Sequence, residues 1–113
     1  MTGYIKAFLR FFGNPTEIYC LYYGCGKPAV DVTHIHRKGM GGTKLWDFIE
    51  NLMPSCRDCH QKYGDKKQYK LDLYETNVKN ILAYNPNHKY TEGFKASWFY
   101  AELITTNRIP YIE

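Results

Sequence analysis

The chain has 113 residues, a formal charge of +4 with a pI near 8.8, and is 44% hydrophobic and 17% aromatic. That content excludes a disordered tail, and without a run of about eighteen apolar residues the sequence offers no membrane span. The length sets an expectation of one small domain, 1–113, and the mildly basic balance permits a phosphate-bearing partner without demanding one.

The first segment places Tyr4, Phe8, Phe11 and Phe12 at helical spacing, and Gly13, Asn14 and Pro15 stop the pattern, so an amphipathic helix is expected over about 3–13. The segment lacks a charged leader region and a cleavage site, and Lys6 and Arg10 interrupt its apolar run, which points away from a secretory signal and toward a cytoplasmic protein. A turn with a cysteine pair follows, then the short β-branched stretch 29–35, read as a strand that ends at His34 and His36. Gly39, Gly41 and Gly42 make a loop able to approach another group closely. The stretch 44–50 is a short strand or one helical turn, and a helix is expected from Cys56 to about Gly64. Two further helices are expected, over about 66–84 with apolar residues at 69, 73, 74, 78, 81 and 82, and over about 92–105 behind Thr91 as cap. His88, in an Asn-Pro loop, reads as a surface residue, and the tyrosines at 22, 23, 63, 69 and 74 read as core or helix-face residues.

Cys20 and Cys25, then Cys56 and Cys59, form two short-spaced pairs around a stretch with His34 and His36, and His60 directly follows the second pair. Four thiolates offered by two tight turns suit a structural zinc ion, and such a staple helps a small core. Disulfides are the alternative, disfavoured by the spacing and by the lack of any sign of export. A redox role for Cys56-Arg57-Asp58-Cys59 would leave the other pair idle.

The ordered features Cys25-Gly26-Lys27-Pro28, Val32-Thr33-His34-Ile35, Gly41-Gly42, Glu50-Asn51-Leu52 and Cys56-Arg57-Asp58-Cys59-His60 resemble the HNH endonuclease family in its zinc-stapled form, with a fainter likeness to small phage-encoded members. The resemblance covers about 20–66. It implies an α+β fold built on a ββα-metal (His-Me finger) core over about 19–66, with the flanking helices outside it. It further implies a metal-dependent nuclease acting on DNA, with His34 as general base, Asn51 as the residue that orients it, and His60 as ligand to a catalytic Mg²⁺ or Mn²⁺. Cys20, Cys25, Cys56 and Cys59 would hold Zn²⁺. Arg37, Lys38, Lys66 and Lys67 are candidate phosphate contacts, and double-strand cleavage by so small a domain would call for a homodimer or two visits.

Two positions depart from the family pattern. Thr33 stands where an acidic or histidine metal ligand is usual, and Gly64 stands where many members have a second histidine. Mg²⁺ tolerates few protein ligands because it keeps waters and substrate oxygens. Asp31, His36 or Asp65 could otherwise substitute, although Asp31 is expected to need a bulge to reach the site. The departures also admit a non-catalytic zinc-stapled nucleic-acid-binding module on the same scaffold.

Overall fold

A computed structural model describes residues 3–12, 18–21, 25–36, 45–63 and 66–112. The chain first forms a helix α1 (Gly3–Phe12), strands β1 (Asp31–His34) and β2 (Leu52–Ser55), and a helix α2 (Arg57–Tyr63). Three helices complete it: α3 (Lys70–Tyr84), α4 (Glu92–Lys95) and α5 (Trp98–Thr105). Short 3-10 turns at Ile49–Asn51 and Lys67–Tyr69 lead into β2 and α3. This is an α+β arrangement whose centre runs strand, strand, helix.

β1 and β2 pair antiparallel in regular register, Asp31 opposite Ser55 and His34 opposite Leu52. The cysteine turn ahead of β1 is closed by Cys20 N–H donating to the Lys27 carbonyl at 2.8 Å and Ala29 N–H to the Ile18 carbonyl at 2.9 Å. Gly26 sits in this turn with φ 69°, a conformation an L side chain would strain. The turn is stitched to β2 by Leu21 N–H on the Pro54 carbonyl and Val30 N–H on the Ser55 carbonyl. β2 is thus fully buried although the sequence pattern gave no strand there: Pro54 weakens a strand signature, yet here it sits opposite Val32 and only its carbonyl is used.

One buried group joins Cys20, Ile35, Met53 and Cys56 to Leu73, Tyr74 and Val78 of α3 and to Phe94, Phe99 and Leu103. A second joins Phe8 and Phe12 of α1 to Ile49, Leu52 and Ile81. The expected apolar face of α3 is buried at 73, 74, 78 and 81, and the helix proper begins at Lys70 behind the 3-10 turn. The single helix expected over 92–105 is instead two: Thr91 caps α4, and Ser97 caps α5 by accepting from Tyr100 N–H. Ser97 is as competent a cap as Thr91, and its β-region backbone ends the first helix. α5 closes with Asn107 at φ 59°, Asn107 N–H on the Ile104 carbonyl and Arg108 N–H on the Leu103 carbonyl, a Schellman ending. Arg108 then pairs with Asp72 and Glu75 of α3, which holds the Glu75 carboxyl below its usual range.

His88 is not a surface residue. It is buried, its Nε2–H donates to Glu50 Oε2 at 2.8 Å, and its ring meets Phe11 edge-on. Glu50 is itself wholly buried and also accepts from Thr91 N–H at 2.9 Å and Thr91 Oγ1 at 2.6 Å. A loop position next to Pro86 gave no hint of this, because the partner lies 38 residues earlier. Three donors aimed at one buried carboxylate make its removal costly, since each is then stranded away from water. Glu50→Ala is therefore expected to lower stability by about 3 kcal/mol and Thr91→Ala by about 1–2 kcal/mol, read as urea midpoints by circular dichroism. A loss below about 1 kcal/mol for Glu50→Ala would contradict this account of the network.

Candidate active site and metal centre

The Sγ atoms of Cys20, Cys25, Cys56 and Cys59 lie within 4.8 Å of one another, and Cys25 and Cys56 are 3.8 Å apart. A tetrahedral zinc–thiolate centre with bonds of about 2.3 Å has sulfur–sulfur edges of about 3.8 Å. None of the four is in a disulfide. Cys59 N–H donates to the Cys56 sulfur, and this contact first of all brings the Cys56 thiol down to about 7, while burial pushes the Cys59 thiol up. Four crowded sulfurs cannot all ionise against one another, so the donor set fits a divalent cation that compensates their charge. Among the described residues this is the one group of three or more histidine, cysteine or acidic side chains placed to hold a metal.

His34 ends β1, and its Nε2–H donates to Asp47 Oδ1 at 2.8 Å, with both side chains largely buried. Sequence pattern alone does not single out Asp47, an acidic residue among Leu45, Trp46, Phe48 and Ile49. Its isolation in an apolar run was the available signal. A carboxylate on one ring nitrogen fixes the orientation and the tautomer of an imidazole.

Asn51 is fully buried, and its amide spans the polypeptide on either side of the glycine-rich segment. Its Oδ1 accepts from His36 N–H at 2.8 Å and from Tyr74 Oη at 2.6 Å, and its Nδ2 donates to the carbonyls of His36 and Trp46 at 2.9 and 2.8 Å. Every amide hydrogen and lone pair that can be used is used. Burial, and secondarily the Glu50 carboxylate, push the Tyr74 phenol above its ordinary value, so Tyr74 stays a donor at neutral pH. Asn51 thus contacts His36 and Trp46, the neighbours of His34 and Asp47.

His60 lies one turn into α2, with its backbone N–H on the Cys56 carbonyl at 3.0 Å. Its Nδ1 is 3.4 Å from Asp31 Oδ2, and Arg57 reaches Asp31 Oδ1 at 3.4 Å. Asp31 reaches His60 from a strand in regular register, so the expected bulge is absent: α2 leans over the start of β1. Thr33 is turned inward, buried and hydrogen-bonded to Ser55 Oγ at 2.5 Å, and so is not offered to a cation at that position. His36 faces elsewhere, with Lys70 Nζ donating to its Nδ1 at 3.0 Å and its ring against Trp46. Two donors 3.4 Å apart approach the separation of about 3 Å between neighbouring ligands of an octahedral Mg²⁺, so Asp31 and His60 fit a hard cation as a partial ligand set.

The structure brings His34 to Asp47 and His60 to Asp31, at opposite ends of β1, roughly 10 Å apart along the strand. Lys66 and Lys67 are exposed beyond α2. Arg37, Lys38, Gly64 and Asp65 lie outside the described residues, as do Gly39, Gly41 and Gly42. No helix among the described residues is long and apolar enough to cross a membrane.

Residues 18–66 match the family model described as HNH endonuclease. No curated protein and no solved structure gives a match.

For the cysteine centre, metal analysis of the purified protein should return about one zinc per chain. Cys25→Ser should lose most of it, together with cooperative thermal unfolding. Full retention of the melting transition after the metal is stripped would refute a structural role for the cluster.

Proposed function

Over residues 18–66 the chain belongs to the HNH endonuclease family, and from that premise we propose that it is a divalent-metal-dependent endonuclease hydrolysing phosphodiester bonds of DNA. An HNH domain points to nuclease or nucleic-acid-binding function; the observation that favours hydrolysis is the His34–Asp47 pair. A bare imidazole needs no buried carboxylate, whereas a general base gains from one that holds its ring and stabilises the proton it receives.

In this reading a water molecule attacks phosphorus as His34 takes its proton, and the bond to the leaving sugar oxygen breaks in line with the attack. Asp47 holds His34. Asn51 acts through the backbone: by fixing His36 and Trp46 it sets the separation of the two chain segments that bear base and carboxylate. It is therefore a positioning residue. His60 and Asp31 would hold the Mg²⁺ or Mn²⁺ ion, which supplies charge compensation at the phosphate when bound. Arg57, paired with Asp31, and the exposed Lys66 and Lys67 are available to phosphates on either side. Zinc at Cys20, Cys25, Cys56 and Cys59 would hold the start of α2 against the turn that leads into β1.

A second reading, a zinc-stapled module that binds nucleic acid without cutting it, draws on the inward turn of Thr33, which leaves His60 and Asp31 as the candidate ligands for a catalytic cation among the described residues. Plasmid nicking separates the two. With Mg²⁺ or Mn²⁺ the native chain should convert supercoiled DNA to nicked circles, His34→Ala should lower the rate by about 10²–10⁴, and His60→Ala should raise the metal concentration required. Asp47→Asn should cost about 10–100-fold in turnover with little change in DNA affinity. DNA binding without cleavage by the native chain under every divalent cation would replace the first reading with the second.

A further inference from the structure

On the far side of His36 a cavity of about 600 Å³ opens between α5 and the start of α3, and His36, Lys67, Gln68, Lys70, Trp98 and Phe99 line it. Its walls are of two kinds. One is aromatic: the Trp98 and Phe99 rings lie 4.1 Å apart at 31°, His36 is 5.4 Å from Phe99, and Trp46 backs His36 at 4.1 Å. The other carries Lys67 on the 3-10 turn and Lys70 at the first position of α3, beside Gln68 and Leu71; Lys70 Nζ also donates to His36 Nδ1 at 3.0 Å, and among the described residues no acidic side chain lines the cavity.

Trp98 is 59% exposed although it follows directly on the Ser97 cap and precedes the buried Phe99. The core does not need its indole, which presents a flat apolar face beside two ammonium groups. That combination selects its occupant. An apolar peptide makes no use of the positive charge of the two lysines, and a bare phosphate has no use for the indole. A nucleotide satisfies both, its base against a ring and its phosphate near the lysines. The volume lies within the range of about 300–1,000 Å³ that small-molecule sites occupy.

We propose that this cavity takes one unpaired nucleotide of a DNA substrate, its base on Trp98 and its phosphate against Lys67 and Lys70. The inference rests on the reading of the protein as one that acts on DNA, and it adds a structural preference to that reading: DNA with an unpaired nucleotide near the cut. The cavity is coupled to the candidate site by a short path. His36 is two residues beyond His34, at most about 7 Å of chain, and Asn51 clamps both backbone polar groups of His36. A base held here would therefore locate its neighbouring phosphate relative to His34.

The test is binding, read separately from cleavage. The zinc-loaded chain is titrated, with Ca²⁺ as the added cation, against a fluorescently labelled single strand, the matching perfect duplex, and that duplex with one bulged nucleotide. Trp98→Ala should weaken binding to the single strand and the bulged duplex by about tenfold while changing the perfect duplex by less than about twofold. Trp98→Phe should recover most of the loss, and all variants should melt like the native chain. Lys67→Ala should flatten the salt dependence of single-strand binding by about 0.7 in the log–log slope, one phosphate's worth. Equal losses on paired and unpaired DNA, no loss in Trp98→Ala, or no binding by the native chain would each overturn the proposal. A native chain that nicks plasmids while Trp98→Ala binds normally removes this pocket and leaves the nuclease reading standing. Trp98-dependent binding without nicking does the reverse.

Discussion

The single turn Ile49–Asn51 is the constraint on which the rest of the molecule is hung. All three of its residues are buried, and each faces a different part of the chain. Ile49 packs with Phe8 and Phe12 of α1, Glu50 takes His88 and Thr91 from the segment ahead of α4, and Asn51 binds His36, Trp46 and Tyr74. α3 secures the turn from outside, where Asn77 Nδ2 donates to the carbonyls of both Glu50 and Leu52. Two adjacent buried polar side chains are an expensive choice in a small core unless every group finds a partner. Here all the partners but the Trp46 carbonyl come from segments 15 to 41 residues away in sequence, so their satisfaction requires that the whole set be assembled at once.

Such a hub explains why the flanking helices carry no recognisable motif and yet are not dispensable additions. Tyr74 and Asn77 stand one turn apart on the inner face of α3, and Tyr74 Oη and Asn77 Nδ2 both donate to the turn or to the strand it feeds. The helix is thus a support for Asn51 as much as a cover for the core. The ring cluster of Tyr74, Phe94 and Phe99 then ties α3 to α4 and α5, and Gly93 lets the Phe48 ring lie against α4, where a Cβ would come within 2.8 Å of it. Phe48 follows Asp47 directly, so the packing of α4 bears on the segment that carries the partner of His34.

What could be read from sequence was local. The cysteine pairs, the strand that ends at His34, the start of α2 and the buried face of α3 depend on spacing within a few residues, and spacing is visible in a string. What could not be read depends on distant pairing. The carboxylate of Asp47 on His34 comes from a segment 13 residues on, and Asp31 meets His60 across 29 residues. Glu50 was visible as a neighbour of Asn51, but an acidic residue in a string carries no sign of being buried. Only the approach of His88 and Thr91 makes burial tolerable. The break at Ser97 is an intermediate case: Ser97 is a competent cap, but the apolar spacing from Phe94 to Leu103 runs through it and argues for one helix.

The two candidate reactive groups are held by separate devices at the two ends of one four-residue strand. At the start of β1, Val30 and Leu21 anchor the cysteine turn to β2, and α2 leaves the second cysteine pair with His60 leaning over Asp31. At the end of β1, Ile35 N–H donates to the Asn51 carbonyl while the Asn51 amide grips His36, so the backbone on the far side of His34 is fixed by the buried turn and not by sulfur. β1 itself is short and regular, with Thr33 and Ser55 hydrogen-bonded between the strands, and so behaves as a rigid spacer. A strand locked at both ends transmits position and little else. Thr33 within this spacer serves the pairing with β2, and the acidic side chain that α2 reaches is Asp31, two residues earlier.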